Sequence, residues 1–218
     1  MRTLVVNASP KAKNGNTEVF IKKFTKGMKE PCEISYAAKE DSLQLAQYMK
    51  QFDTVIVAMP LYIHAMPGIV MKLIECMEPT SDNGKAMGFI VQSGFMESAQ
   101  SKYLERYLSA LTKRLNYTYI GTVIKGGSAG VYMMPEKMNK RLFQQLHLFG
   151  EHFEINGSFC PEVVAELAKP HQLSKGKCRS LQFWGRLCLG DAMFWNMMLK
   201  KNHAFNRRLD KPFADKLS

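Results

Sequence analysis

Hydrophobic and polar positions follow two patterns that alternate along roughly the first 155 residues. Short apolar runs predict strands buried inside a sheet, and longer stretches with an apolar residue every three or four positions predict amphipathic helices. The predicted strands comprise residues 3–7, 33–37, 54–59, 86–91 and 118–124. The helices between them are predicted to start near Asn16 or Thr17, Ser42, Pro67, Ser98 and Pro135, which are residue types typical of helix N-termini.

This alternation predicts an α/β fold, a doubly wound three-layer sandwich with a five-stranded parallel sheet. The second predicted strand, EISYA, is the most polar, which indicates a position at the edge of the sheet and favours the strand order 2-1-3-4-5. In such sheets ligands bind beyond the carboxyl ends of the strands, where the strand order reverses. We therefore expect the loops after strands one, three, four and five to converge on one site.

Composition is consistent with a folded intracellular protein. The 218 residues are 46% apolar, enough to fill a core, and no run of about 18 uncharged apolar residues could span a bilayer. The five cysteines are widely spaced, form no CxxC pair and follow no recognisable secretory signal, which predicts a reduced, cytoplasmic setting and argues against a zinc or iron–sulfur site. We expect them to be small buried hydrophobic residues.

Charge divides the chain into two predicted domains, residues 1–168 and 169–218. The formal net charge is +11, and 11 Lys or Arg against 3 Asp or Glu place +8 of it in the C-terminal extension. This extension is also rich in aromatic and methionine residues, so its predicted helix cannot lie in water alone. It could pack on its own domain, contact a second subunit or cover the site as a lid, and an anionic membrane surface is a further alternative. Gly185 and Gly190 could interrupt it, and no motif accompanies the charge to indicate nucleic-acid binding.

The loop after the first strand, NASPKAKNGNT, has the composition of a phosphate site. Ser9, Asn16 and Thr17 supply side-chain donors, Lys11 supplies positive charge, and the helix that follows begins with unpaired amides. The alternative is an ordinary capped loop, because Ser, Asn and Thr are common capping residues. The loop is neither a Walker loop nor a GxGxxG dinucleotide fingerprint.

The loop after the third strand, PLYIHAMPG, presents apolar and aromatic residues where loops are normally polar. Leu61, Tyr62 and Ile63, held after Pro60, predict contact with a flat aromatic ligand. The alternative is that Tyr62 and Ile63 cover the end of the core.

Two further loops complete the predicted site. The fourth-strand loop contributes Ser93, Gly94 and Phe95, and the fifth-strand loop, KGGSAG, is glycine-rich enough to allow close approach of a ligand or partner.

Together these segments resemble the flavodoxin-like NAD(P)H-dependent FMN reductases, including their iron–sulfur flavoprotein branch. The resemblance covers residues 1–155 and lies in SPKAKNGNT, TVIVAMPLYIHAMPGIVMKLIE, VQSGF and IKGGSAG. It implies a flavodoxin-like fold and bound FMN. By position, it implies phosphate contacts from Ser9, Lys11, Asn16 and Thr17, ring contacts from Pro60, Leu61, Tyr62 and Ile63, and closure of the other side by Ser93, Gly94 and Phe95.

The function implied by this resemblance is an oxidoreductase that uses NAD(P)H as co-substrate and passes electrons through FMN to a small acceptor such as a flavin or quinone. No catalytic side chain is required, and His64 either tunes the flavin, delivers a proton or has no chemical role. Dimers are common in the family, so a homodimer is expected. The cluster cysteines of the iron–sulfur branch are absent and the chain is basic, unlike the acidic flavodoxins. The alternative function is a non-enzymatic flavodoxin-fold module that acts through its basic C-terminal extension.

Overall fold

The computed structural model describes residues 1–82, 84–187 and 190–211, with side chains 186–194 outside the description. Its strands are β1 (Thr3–Asn7), β2 (Glu33–Tyr36), β3 (Thr54–Pro60), β4 (Ala86–Gln92) and β5 (Thr118–Lys125). Its α-helices are α1 (Asn16–Thr25), α2 (Ser42–Met49), α3 (Gly68–Glu75), α4 (Lys102–Arg114), α5 (Glu136–Asn156), α6 (Pro161–Leu167), α7 (Lys175–Leu187) and α8 (Gly190–Lys201).

The sheet has the order β2-β1-β3-β4-β5 with every neighbouring pair parallel, as the sequence predicts. Because successive side chains of a strand point to opposite faces of the sheet, the strands contribute side chains to two separate hydrophobic cores. On one face Phe89 and its neighbours pack against α2, α3 and α4, and on the other Ile56 and Ile90 pack against α1, α5 and α6. The result is the predicted doubly wound three-layer α/β fold.

The predicted strands are confirmed, with every first residue correct and each last residue within one position. Helix starts were predicted less accurately. The N-cap of α1 is Gly15 rather than Asn16 or Thr17, and the N-cap of α2 is Asp41, whose carboxylate accepts from the amides of Leu43 and Gln44 at 3.0 Å. The helix α6 was not predicted at all.

The sequence predicts small buried hydrophobic residues at the cysteines, but Cys32, Cys76, Cys160 and Cys178 are only half-buried, with Cys32 and Cys76 packed against the two cores. Their positions explain this, since Cys76 ends α3 and Cys160 caps α6, at the borders of the core rather than within it. Burial raises the pKa of the Cys32 thiol. Cys188 lies outside the described residues.

The chain forms two compact units, Met1–Gln172 and a second that starts at Leu173. The described part of the second unit contains the α-helices α7 and α8. The sequence predicts one helix here, which Gly185 or Gly190 could interrupt. Leu189, one of the apolar positions of that predicted helix, lies outside the described residues. Phe183, Trp184 and Trp195 are exposed. Among the described helices, none combines the length and apolar character needed to cross a bilayer.

Helices α1 and α5 approach so closely that their contact requires glycine. A Cβ at Gly150 would lie 2.0 Å from the carbonyl oxygen of Phe24, and a Cβ at Gly27 would lie 2.0 Å from the carbonyl oxygen of His147. Both obstacles are backbone atoms, so neither can rotate away. The two glycines therefore set the distance between these helices.

We expect Gly150→Ala to lower the free energy of unfolding by about 1–3 kcal/mol or more, because the added methyl group must push the helices apart. Gly68→Ala is the matched control: a Cβ at Gly68 would meet nothing within 4 Å. The control should stay within about 0.5 kcal/mol of the parent chain. Urea unfolding checks both, and equal stability of the two variants would contradict the proposed contact.

Candidate functional site

A cleft of about 160 Å³ lies at the carboxyl edge of the sheet, where the strand order reverses between β1 and β3. Four loops line it, those after β1, β3, β4 and β5, as the sequence predicts for this topology. Its lining comprises Ser9, Lys11, Gly15, Asn16, Pro60, Leu61, Tyr62, Gln92, Ser93, Gly94, Ala129 and Tyr132.

The first loop is shaped by the buried side chain of Asn7, the last residue of β1. Its Oδ1 accepts from the amide of Ser9 at 3.1 Å, and its Nδ2 donates to the carbonyl of Ala12 at 3.2 Å. The Ser9 hydroxyl in turn accepts from the amide of Lys11 at 3.3 Å. Because that hydroxyl acts as an acceptor within the loop, its own proton remains available to a ligand in the cleft.

Glu18 places a buried carboxylate beneath this loop, outside the lining of the cleft. It accepts from Asn7 Nδ2 at 2.9 Å and from the hydroxyl of Tyr36 at 3.2 Å, and it lies 3.4 Å from the ammonium of Lys22. Burial, and then the Glu18 charge, raise the pKa of Tyr36. These partners satisfy the carboxylate within the protein, away from the surface that faces the cleft.

The N-cap of α1 is Gly15, and within the described part of the chain no side chain caps the start of this helix. The two residues predicted as caps have other partners: Asn16 Oδ1 accepts from the amide of Tyr132 at 2.9 Å, and the Thr17 hydroxyl accepts from Gln92 Nε2 at 3.5 Å. The amides of the first helical turn are therefore left as donors, and the positive end of the helix dipole favours an anion there. Lys11 also lines the cleft, with its ammonium 5.5 Å from the ring centroid of Tyr132.

The third loop turns through a two-residue hairpin. Tyr62 and Ala65 exchange two backbone hydrogen bonds, of 2.8 and 3.0 Å, around Ile63 and His64. Both central residues have positive φ, 48° and 63°, which type I′ turns require and which is rare for a β-branched residue. Ile63 is 89% exposed and does not cover the end of the core, Tyr62 is 45% exposed, and Leu61 is buried in the core.

The fourth loop contacts the third through an aromatic pair. The rings of Phe95 and His64 stack with centroids 4.9 Å apart and planes 8° from parallel. Ser93 and Gly94 line the cleft, but Phe95 does not. The stack joins the two loops at the outer end of the site.

The glycines of the fifth loop allow it to pack closely against the fourth loop. A Cβ at Gly126 would lie 2.6 Å from the carbonyl oxygens of Phe95 and Met96, and the amide of Gly127 donates to the Phe95 carbonyl at 2.6 Å. Ser128, fully buried, lies with its hydroxyl 2.6 Å from Gln92 Oε1 and 2.7 Å from the Ser93 carbonyl. The glycines of the fifth loop predict close approach of a ligand or partner. In the structure, the group that closely approaches Gly126 and Gly127 is the backbone of the fourth loop.

Of the eleven residues predicted for the site, eight line the cleft: Ser9, Lys11, Asn16, Pro60, Leu61, Tyr62, Ser93 and Gly94. The other three lie nearby, with Thr17 buried against Gln92, Ile63 exposed and Phe95 stacked on His64. Gln92 is not among the predicted residues, although it directly follows a predicted strand. Ala129 lies in the predicted fifth loop KGGSAG but is not singled out there, and nothing in the sequence marks Tyr132.

A Ser–His pair lies outside the cleft, and the two backbone amides at its serine are already hydrogen-bonded. Ser98 Oγ lies 3.1 Å from His171 Nδ1, beside a cavity of about 260 Å³ that Glu105 also lines. However, the amides of Ser98 and Ala99 already donate to the carbonyls of Pro170 and His171, at 3.1 Å each. They cannot also stabilise an oxyanion, which acyl transfer at Ser98 would need.

No family model matches the chain, and no curated protein matches it in sequence. Solved structures do match it. An NADPH-quinone reductase from P. pentosaceus is 19% identical over 69% of this chain and 98% of its own, with a TM-score of 0.52. A FMN-dependent NADH-azoreductase from Bacillus anthracis, solved with FMN, is 14% identical over 71% and 100%, with a TM-score of 0.51. A putative quinone reductase from Klebsiella pneumoniae is 12% identical over 81% and 98%, with a TM-score of 0.57. The chain thus has the flavodoxin-like fold that the sequence predicts.

We expect Ser128→Ala to destabilise the protein by about 1–3 kcal/mol, because it leaves Gln92 Oε1 buried without its closest donor. Ser101→Ala is the matched control, since the Ser101 hydroxyl is buried and has no hydrogen-bond partner among the residues that the structure describes. That variant should be neutral or slightly more stable. Thermal and urea unfolding measure both, and equal losses would refute the role of Ser128.

Proposed function

We propose that this chain is an FMN-dependent oxidoreductase that takes electrons from NAD(P)H and delivers them to a small acceptor such as a flavin or a quinone. The observation that carries the proposal is the cleft at the strand-order reversal, where the uncapped start of α1 meets Ser9 and Lys11. The first-turn amides and Ser9 supply hydrogen-bond donors, and Lys11 supplies positive charge. Together they face one small cleft, as the binding of a phosphate ester requires.

The donor set fits FMN. The cleft, at about 160 Å³, is smaller than the roughly 300 Å³ or more of a site that encloses a whole ligand of this size. It suits the phosphate and polyol portion, and the exposed Tyr62 and Ile63 supply a flat apolar surface for the ring system. FMN, when bound, would accept an electron pair from the nicotinamide and pass it to the acceptor.

Each predicted site residue then has a role in binding or orientation. Ser9, Lys11 and the first-turn amides at Asn16 and Thr17 hold the phosphate. The remaining residues position the ring: Pro60, Leu61, Tyr62 and Ile63 on one side, and Ser93, Gly94 and Phe95 on the other. His64 acts through its stack on Phe95, which fixes the outer end of the ring site.

The names of the structurally similar proteins support this proposal. They include an NADPH-quinone reductase and a FMN-dependent NADH-azoreductase. A small acceptor such as a quinone is in keeping with these two names. We place the protein in the cytoplasm, in keeping with its cysteine pattern.

The purified chain should bind FMN and turn yellow, and NADPH or NADH should bleach the flavin absorbance. Lys11→Gln should weaken FMN binding about tenfold or more, because it removes one charge-assisted hydrogen bond to the phosphate. It should leave riboflavin binding unchanged, since riboflavin has no phosphate. Fluorescence titration with both flavins measures this.

Lys113→Gln is the control for this titration, because Lys113 is exposed on α4, outside the cleft lining. A chain that takes up no FMN, or a Lys11 variant that weakens both flavins equally, would contradict the assignment. Failure to bind any flavin would favour the alternative of a non-enzymatic interaction module.

We also propose that the chain is a homodimer, joined through an apolar groove between α3 and α4. The groove has a volume of about 470 Å³ and is lined by Ile74, Met77, Tyr107 and Leu111, among others. Tyr107 is 47% exposed, and exposed apolar surfaces of this kind mark sites of protein association.

Tyr107→Glu should therefore shift the protein from dimer to monomer, because it buries a charge in the interface. Leu148→Glu is the control, since Leu148 on α5 is equally exposed, at 47%, but lies outside the groove. Size-exclusion chromatography with light scattering gives the mass of each variant. A monomeric parent chain, or dissociation by the control alone, would exclude this interface.

A further inference from the structure

A second concave surface lies between α1 and α5. It is a groove of about 490 Å³, and it shares no residue with the candidate FMN cleft. On α5 its lining residues recur along one helix face, and α1 with the turn after it contributes two lysines. The lining comprises Lys23, Lys26, Glu136, Lys137, Lys140, Phe143, Gln144 and His147.

The groove carries an excess of positive charge. Four lysines face one glutamate, and that glutamate forms an ion pair with Lys23. The hydrogen bond from Lys23, then the Lys23 charge and more weakly that of Lys26, hold the pKa of Glu136 below its ordinary value. Within the described part of the chain, Lys26, Lys137 and Lys140 make no ion pair. Glu136 is thus the one carboxylate among the described lining residues, and it forms its ion pair with Lys23, so the other three lysines leave the groove with a net positive charge.

The groove also offers apolar surface. Phe143 is half-buried and forms part of its lining, with the Lys23 ammonium 4.4 Å from the ring centroid. Gln144 adds an amide that can donate or accept. A ligand that matched this surface would combine several negative charges with a planar apolar body.

We propose that this groove binds a phosphorylated small molecule with an aromatic body, of the nucleotide class. The volume lies within the range of about 300–1,000 Å³ typical of small-molecule sites. Lysine ammonium groups bind phosphate as compact point charges, and Phe143 provides the contact for the aromatic part. The lining includes a single aromatic ring, that of Phe143, beside its lysines, which matches one base and its phosphates.

The test uses ATP and inorganic tripolyphosphate as probes in calorimetric titrations of the full chain, with the candidate cleft first saturated with FMN and then without FMN. ATP should bind at one site in both conditions, and more tightly than tripolyphosphate. The double variant Lys137→Gln/Lys140→Gln should weaken both probes by about 4- to 25-fold, at roughly two- to fivefold per exposed lysine. Phe143→Leu should weaken ATP but not tripolyphosphate.

The control is Lys72→Gln/Lys113→Gln, which removes the same charge from exposed positions on α3 and α4. It should bind both probes as the parent chain does, and thermal unfolding confirms that every variant is folded. The proposal is overturned by absent saturation, by an equal loss in the control, by competition between FMN and ATP, or by tighter binding of duplex DNA or phosphatidylserine vesicles.

Discussion

Buried side-chain hydrogen bonds at the carboxyl ends of the strands are the constraint on which the candidate site depends. Asn7 ends β1 and Gln92 ends β4, and both are buried, so every polar atom on them must find a partner inside the protein. Asn7 finds its partners in the first loop and in Glu18 on α1, and Gln92 finds them in Thr17 and Ser128. The loops are thereby attached to the sheet and to one another, and donors on different segments keep a fixed geometry before any ligand arrives.

The positive charge of the chain has a more specific distribution than its total suggests. The C-terminal extension accounts for +8 of the formal +11, and the first 168 residues are nearly balanced. Within that nearly balanced part, carboxylates pair with some lysines, such as Lys22 with Glu18. Around one groove other lysines form no ion pair with any residue that the structure describes. Local arrangement, rather than net charge, therefore determines which surface of the first unit attracts an anion.

The sequence predicted the sheet well because each strand is a short apolar run whose burial leaves little choice of structure. It predicted the lining of the cleft largely through topology, since a parallel sheet brings these loops together whatever their composition. It failed where side chains had long-range partners. Asn16 and Thr17 have the composition of helix caps, yet Tyr132 and Gln92 compete for them from distant segments. The fifth-loop glycines are a second case of a long-range contact that the sequence does not predict, because only the structure reveals the carbonyls that approach Gly126.

The hairpin at Ile63 and His64 has an energetic consequence. Asparagine or glycine would occupy its left-handed positions with less strain, whereas isoleucine there costs on the order of 1–3 kcal/mol. The side chain gains little in return from the core, since it projects into solvent. At position 63 the protein thus has a lower folding stability in exchange for an exposed hydrophobic side chain. Such an exchange of stability for function is typical of segments that bind a ligand or partner.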